Sequence, residues 1–273
     1  MSNNPSPAQV YWSALSDVGR FRKENEDSFL ALLVEGRQIH RLGKYGESAI
    51  AGNSFIFAVS DGMGGANAGE FASRIAVDAL TRYTSNKELP FGDEACQELL
   101  KMVFDQIHNE ILKQSRAYEE CRGMGATLSL CLLQKDRLHY CHVGDSRIYR
   151  YQTDDDNHEP LTQDDHHVGW LYAQGKISEY QARNHPGRSA LQQVLGGKTQ
   201  YLKPQTASLP TIVGDTYVIC SDGVIEGLAN RALRRVTHQA KPDGERTQAE
   251  RIVRTAVEEN GRDNTTAVVF RLQ

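Results

Sequence analysis

Acidic residues recur at one kind of place in this chain, where an apolar run meets a turn. Asp61 follows the run 55–59, Asp145 follows 138–143, Asp222 follows 216–220, Asp263 stands just before 266–272, and the pair Glu26 and Asp27 precedes 28–34. Taken singly, an Asp-Gly after a strand is an ordinary turn dipeptide. Taken together, strands lying side by side would gather their terminal carboxylates into one cluster, and unneutralised carboxylates that close repel and raise each other's pKa. Cations are then required. Oxygen donors without His or Cys select hard ions, Mg²⁺ or Mn²⁺ rather than Zn²⁺. A carboxylate that bridges two such ions, about 3.5–4 Å apart, supports an acidified water and a clamp on the oxygens of a phosphoryl group in transfer.

Two further features serve that chemistry. Gly62, Gly64 and Gly65 follow Asp61, and glycine lets the backbone turn sharply and bring a carbonyl oxygen up to a metal. Arg22 lies just before the acidic pair, where its planar fork can take two phosphate oxygens. An ordinary surface arginine is the alternative reading.

The elements that must hold these residues are legible as periods. Strands over 11–16 and 28–34 frame RKENED, and 35–53 reads as a hairpin connection or small insertion. The run 55–59 reads as a buried strand stopping at SDGMGG. Apolar residues from Phe71 to Tyr83 recur at three- and four-residue steps, a helix, and a second helix spans 93–117 with Asp93 placed to cap it. Strands over 126–133, 138–143 and 147–151, with turns at Lys135-Asp136 and Gly144-Asp145, suggest consecutive antiparallel hairpins. TDDDNHEP reads as a solvated acidic loop, and 164–184 turns helical with a Ser178/Gln181 capping box. A strand over 216–220, a helix opened by Thr247 and Glu250, and a final strand over 266–272 complete an α+β pattern of two sheets flanked by helices.

Composition narrows the classes. Charged residues make up 24 % of 273 positions and the net charge is -4, so no broad basic field is present for nucleic acid. Five cysteines, an odd number without CxxC spacing, point to a reducing, cytoplasmic setting. No stretch approaches the roughly 18 to 20 apolar residues of a membrane span, and the N-terminus has no signal-peptide pattern. Residues 1–9 are expected to be a disordered tail, and a monomer is expected because no heptad or long exposed apolar stripe asks for a partner.

The ordered series R22-K-E-N-E-D27, D61-G-M-G-G65, G125-A-T127, G144-D-S-R147, S221-D-G223 and G261-R-D-N264 resembles the type 2C metal-dependent Ser/Thr protein phosphatases, the PPM family, over nearly the whole chain. HPGRSALQQVLGG resembles the bacterial branch, where a helical flap precedes such a stretch. The resemblance implies one domain over 10–273, a central β-sandwich of two mostly antiparallel sheets flanked by pairs of helices, with a flap subdomain at about 163–195. It implies two Mn²⁺ or Mg²⁺ ions bridged by Asp61, joined by the Gly62 carbonyl and completed by Asp222 and Asp263. Glu26 and Asp27 would hold metal-bound waters, with Asp27 the favoured orienter of the nucleophilic water. Asp145 with Asp222 would form a weaker third site, and Arg22 would bind substrate phosphate. Phosphoserine and phosphothreonine proteins are the implied substrates, hydrolysed by direct attack of water, opposing a bacterial Ser/Thr kinase.

Met63 departs from the histidine that animal members often carry there, which leaves the general acid unassigned. A water on the third metal is the preferred candidate. His166, His167 and His185 lie in the flap region, where surface or helix-capping roles compete. Trp170, Leu171, Tyr172, Ile177 and Tyr180 fit a peptide-docking surface and local core packing equally. A signalling module without catalysis is disfavoured because all three metal aspartates are present, and a nuclease because the charge is acidic.

Overall fold

The computed structural model describes residues 8–64, 68–152, 156–238 and 247–273. Alternating apolar positions open the chain as β1 (Gln9–Asp17) and β2 (Asp27–Glu35), followed by the short β3 (Gln38–Arg41) and β4 (Tyr45–Ala49) and the long β5 (Asn53–Met63). Helices α1 (Ala68–Thr84) and α2 (Asp93–Ala117) come next, then β6 (Gly125–Ala126), β7 (Leu128–Gln134), β8 (Arg137–Val143) and β9 (Arg147–Tyr151). After α3 (His167–Ala173) and α4 (Glu179–Arg183) follow β10 (Leu195–Gly196), β11 (Gln205–Pro210) and β12 (Thr216–Cys220). The chain closes with α5 (Asp222–Gly227), α6 (Asn230–His238), α7 (Gln248–Glu259) and β13 (Thr265–Leu272).

One sheet runs β4-β1-β13-β12-β9; the other is built on β2, β5, β7, β8 and β11, with β3 beyond β2 and with β6 and β10 at one end. The pairings within both are antiparallel. The two-residue alternation of strands sends Phe55, Phe57 and Val59 of β5 into the core between the sheets, and Ile56 and Ala58 into the core under α1 and α2. The apolar run of β5 is therefore covered on both faces. Phe57 stacks on Phe270 of the opposite sheet at 4.5 Å between centroids, and Tyr217 stacks on Phe270 at 4.9 Å. Such ring pairs add about 0.5–1.5 kcal/mol each beyond burial. The outer face of the β4-β1-β13-β12-β9 sheet packs on α5, α6 and α7.

Several expectations are corrected. β5 does not stop at Asp61 but continues through Met63, because Gly62 and Met63 pair with β6. Asp93 is the first helical residue and not the cap; Gly92 holds that position, and the Asp93 carboxylate instead pairs with Arg137. β8 and β9 are not a hairpin, since β8 pairs with β7 and β11 while β9 pairs with β12 in the other sheet. The chain crosses between sheets at Gly144-Asp145. The segment 35–53 contributes a strand to each sheet rather than a mere connection. Of the tail expected over 1–9, positions 1–7 lie outside the described residues, whereas the Ala8 and Gln9 N–H groups both donate to the Gln273 carbonyl at 2.7 Å. Part of TDDDNHEP, residues 153–155, also lies outside them, as does Gly65.

This topology decides where the site lies. β2 and β13 begin, and β5, β8 and β12 end, at the same end of the sandwich, so antiparallel pairing gathers their terminal residues there.

Candidate metal centre

Asp27 and Asp61 are register partners across β2 and β5, two positions beyond Phe29 and Val59, so both carboxylates continue the inward-facing rows of the sandwich. Ser221, at the end of β12, donates from Oγ to Asp27 Oδ2 at 2.7 Å and accepts from Thr266 N at 3.0 Å, tying the two sheets together at the site. Asp27 Oδ1 and Asp222 Oδ1 are buried and have no hydrogen-bond partner among the described residues. A buried carboxylate oxygen without a partner is costly. Burial, then the neighbouring acidic charges, push Asp61 and Asp222 well above the ordinary carboxylate range. Burial likewise raises Asp27 to about 6, against hydrogen bonds that favour its charged form, and raises Asp145 to about 7. Asp61 senses the charges of Asp27, Asp222, Asp145 and Asp263, so these carboxylates lie within electrostatic reach of Asp61.

Orphaned buried oxygens and mutually destabilised carboxylates are what an oxygen-ligated cation site presents without its charge partner. Among the described residues, no three His, Cys, Asp or Glu side chains converge as a ready ligand group. Cations here would therefore take part of their coordination from water and main-chain oxygen, as Mg²⁺ commonly does.

The supports behind each carboxylate are local. Asp61 N donates to Thr127 Oγ1 at 3.0 Å, Thr127 N returns to Asp61 O at 2.8 Å, and Thr127 Oγ1 lies 2.6 Å from Ser146 Oγ, beside Asp145. Gly62 is glycine for a different reason than a sharp turn: a Cβ there would sit 1.9 Å from the Gly69 carbonyl oxygen, because the first turn of α1 lies directly over the strand. A Cβ on Gly69 would in turn meet Glu26 Oε1 at 2.4 Å, which places the Glu26 carboxylate against the start of α1. Asn264 staples the RKENED loop to β13, accepting from Glu26 N at 2.8 Å and donating to Val18 O at 3.0 Å and Glu24 O at 2.9 Å. Its place in G-R-D-N was visible in sequence, but its loop-holding role was not.

Arg22 donates to Asp263 Oδ2 at 2.7 Å, so the expected phosphate-binding arginine is drawn toward an expected metal ligand. Half of its side chain remains exposed at the mouth of the site. Asp145 and Asp222 line a common cavity of about 60 Å³ that reaches beneath the 163–195 segment. His166, His167 and His185 are each engaged in local structure. His166 Nδ1 accepts from Gly169 N at 2.7 Å as the cap of α3, His185 Nδ1 accepts from Gly187 N at 3.0 Å, and His167 stacks on Trp170.

Comparison with known proteins places the chain in a family. The Protein phosphatase 2C family profile matches residues 45–255. The chain belongs to that family. The matched span holds Asp61, Asp145 and Asp222. The chain is 30% identical over 258 residues to the serine/threonine protein phosphatase PstP of Mycobacterium tuberculosis, covering 94% of this chain but only 44% of that relative's length. It is 29% identical to the serine/threonine phosphatase stp of Listeria monocytogenes, covering 93% of this chain and 92% of the relative. A crystal structure of the catalytic domain of PstP in complex with two manganese ions superposes with a TM-score of 0.75 at 27% identity, covering 97% of this chain and 99% of that one.

Proposed function

We propose that this chain is a metal-dependent protein phosphatase that hydrolyses phosphoserine and phosphothreonine. The observation that carries the reading is the set of raised, partly orphaned carboxylates, Asp27, Asp61 and Asp222, gathered where the ends of the two sheets meet. Asp61, Asp222 and Asp263, with the Gly62 carbonyl, would hold two Mn²⁺ or Mg²⁺ ions, and Asp145 with Asp222 a third. When bound, such ions lower the pKa of a water and neutralise charge on the transferring phosphoryl group.

The chain's own residues supply positioning. Asp27, fixed through Oδ2 by Ser221, keeps Oδ1 to orient the attacking water, with Glu26 holding further water. Arg22 takes phosphate oxygens with the donors not spent on Asp263. Water attacks phosphorus directly, so no cysteine nucleophile is needed, and burial raises the Cys131, Cys141 and Cys220 thiols far from reactivity. The 163–195 segment is the substrate flap of a single domain spanning 10–273.

The natural substrates are phosphoproteins, with a cognate Ser/Thr kinase as functional opposite. The five free, buried cysteines support a cytoplasmic location. Among the described residues no helix is long and apolar enough to cross a membrane. We take the working form to be a monomer without nucleic-acid partners. The test is phosphate release from phosphothreonine and phosphoserine peptides in Mn²⁺, beside a phosphodiester control. Release from the peptides alone supports the reading; preference for the diester overturns it.

A further inference from the structure

Asn230, the first residue of α6, is fully buried and engages its amide group on both sides. Its side-chain oxygen accepts from Tyr149 Oη at 2.8 Å and from Arg147 Nη1 at 3.3 Å. Its side-chain nitrogen donates to Glu159 Oε2 at 3.2 Å and to Tyr172 Oη at 3.3 Å, and its main-chain N–H donates to Glu179 Oε1 at 2.6 Å. Tyr149 and Arg147 belong to β9, Tyr172 to α3 and Glu179 to α4. One side chain and its own amide thus join the sheet to both helices of the 163–195 segment.

The same chain of bonds reaches the metal centre. Arg147, nearly buried, grips Asp164 through two bonds of 2.8 and 2.7 Å. Burial opposes ionisation of Asp164, and the Arg147 guanidinium and His166 together more than offset it, holding that carboxyl below the usual range. Asp165 accepts from Gly144 N at 2.9 Å and returns its own N–H to Gly144 O at 2.8 Å. Gly144 immediately precedes Asp145. The cavity shared by Asp145 and Asp222 is walled by Arg147, Asp164 and Tyr172 from this network. A buried polar network that is satisfied throughout rigidifies what it joins, and loss of one member leaves others unpaired.

We propose that Asn230 is a positioning residue: it sets how the α3–α4 segment docks beside the metal centre, and through Arg147 and Asp164 it seats the Asp145 loop. The inference rests on the phosphatase reading above. It gives Asn230 an indirect role, exerted through the α3–α4 segment and the Asp145 loop, with no contact to phosphopeptide or metal and no part in the chemical step.

The test is steady-state kinetics of Asn230→Ala and Glu179→Ala on a phosphothreonine peptide and on p-nitrophenyl phosphate, each across a Mn²⁺ titration. For Asn230→Ala the peptide KM rises about tenfold and the Mn²⁺ concentration for half-maximal activity rises about threefold, the scale of one or two lost hydrogen bonds. Turnover of p-nitrophenyl phosphate at saturating Mn²⁺ stays within about twofold of the parent, since no group in the chemical step is touched. Glu179→Ala, which removes only the tie to α4, moves the peptide KM the same way by about threefold. Equal loss of kcat on both substrates overturns the proposal, as does a lowered melting temperature with KM and Mn²⁺ requirement unchanged. If Asn230→Ala does not fold, Glu179→Ala decides by the same criteria. A parent chain inactive on both substrates contradicts the phosphatase reading itself; an active parent with no KM change in the variants contradicts this inference alone.

Discussion

Asp27 on β2 stands directly opposite Asp61 on β5 in the antiparallel ladder, with both carboxylates on the inward face. Two acids at one rung of a sheet are destabilising unless something offsets their charge. On one side Ser221, from the other sheet, gives Asp27 a hydrogen bond, while Asp27 Oδ1 has no partner among the described residues. The sandwich thus holds a strained acidic end together through its apolar core, leaving the offset to bound cations.

Ser221→Ala should lower both stability and rate. It removes the donor to Asp27 Oδ2 and the acceptor for Thr266 N, both buried, and stranding buried polar groups costs about 1–3 kcal/mol. Turnover should fall about tenfold, the equivalent of about 1.4 kcal/mol in the barrier, because Asp27 is no longer held. Denaturant unfolding and kcat at saturating Mn²⁺ measure the two effects; an unchanged kcat would show that Asp27 is positioned without Ser221.

Asp61→Asn should make the metal-free protein more stable while abolishing activity. The substitution deletes a buried charge that burial and four neighbouring acids oppose. Melting in chelator should shift upward, at about 2–4 °C per kcal/mol for a chain of this size, and the further upward shift caused by Mn²⁺ should shrink. A lower melting temperature in chelator would contradict the repulsion argument.

The pH dependence has a definite sign. Asp27 and Asp145 are raised to about 6 and about 7 from an ordinary 3.8, so the unfolded chain ionises first. Their contribution to metal-free stability is full below about pH 4 and is lost as pH rises through 6 to 7. Mn²⁺ needs the ionised forms, so its binding at pH 6 should release more protons into a weakly buffered solution than its binding at pH 8.5. Equal release at both values would count against the raised carboxyls.

Arg22→Ala should separate substrate from metal. Arg22 holds Asp263 Oδ2, so its removal should raise the phosphopeptide KM at least tenfold while lowering the Mn²⁺ concentration needed for half-maximal activity. A metal requirement that rises with KM would mean that Arg22 supports Asp263 rather than competing for it.

Much of this site could be read from residue order. Asp61 falls within the last three residues of β5, Asp222 lies just after β12 and Asp263 just before β13, and the limits of these apolar runs are displayed directly in sequence. The sheet switch at Gly144-Asp145 could not be read, because a turn dipeptide reports local backbone geometry and not which sheet the next strand joins. β11, Gln-Thr-Ala-Ser-Leu-Pro, lies at a sheet edge with half-buried positions, so it shows little apolar alternation. The short α5, six residues beginning at Asp222, hid inside what resembles a turn. Contacts far apart in sequence, such as Ser221 with Asp27 or Asn230 with Arg147, carry no periodic trace at all.

The most direct test of the central claim is phosphate release from a phosphothreonine peptide by the purified chain, with Mn²⁺ or with excess chelator, beside Asp61→Ala and Asp222→Ala. Two cations held by the gathered carboxylates predict release that requires Mn²⁺ and falls at least a thousandfold in both variants. Release that persists in chelator, or survives either substitution, would contradict it.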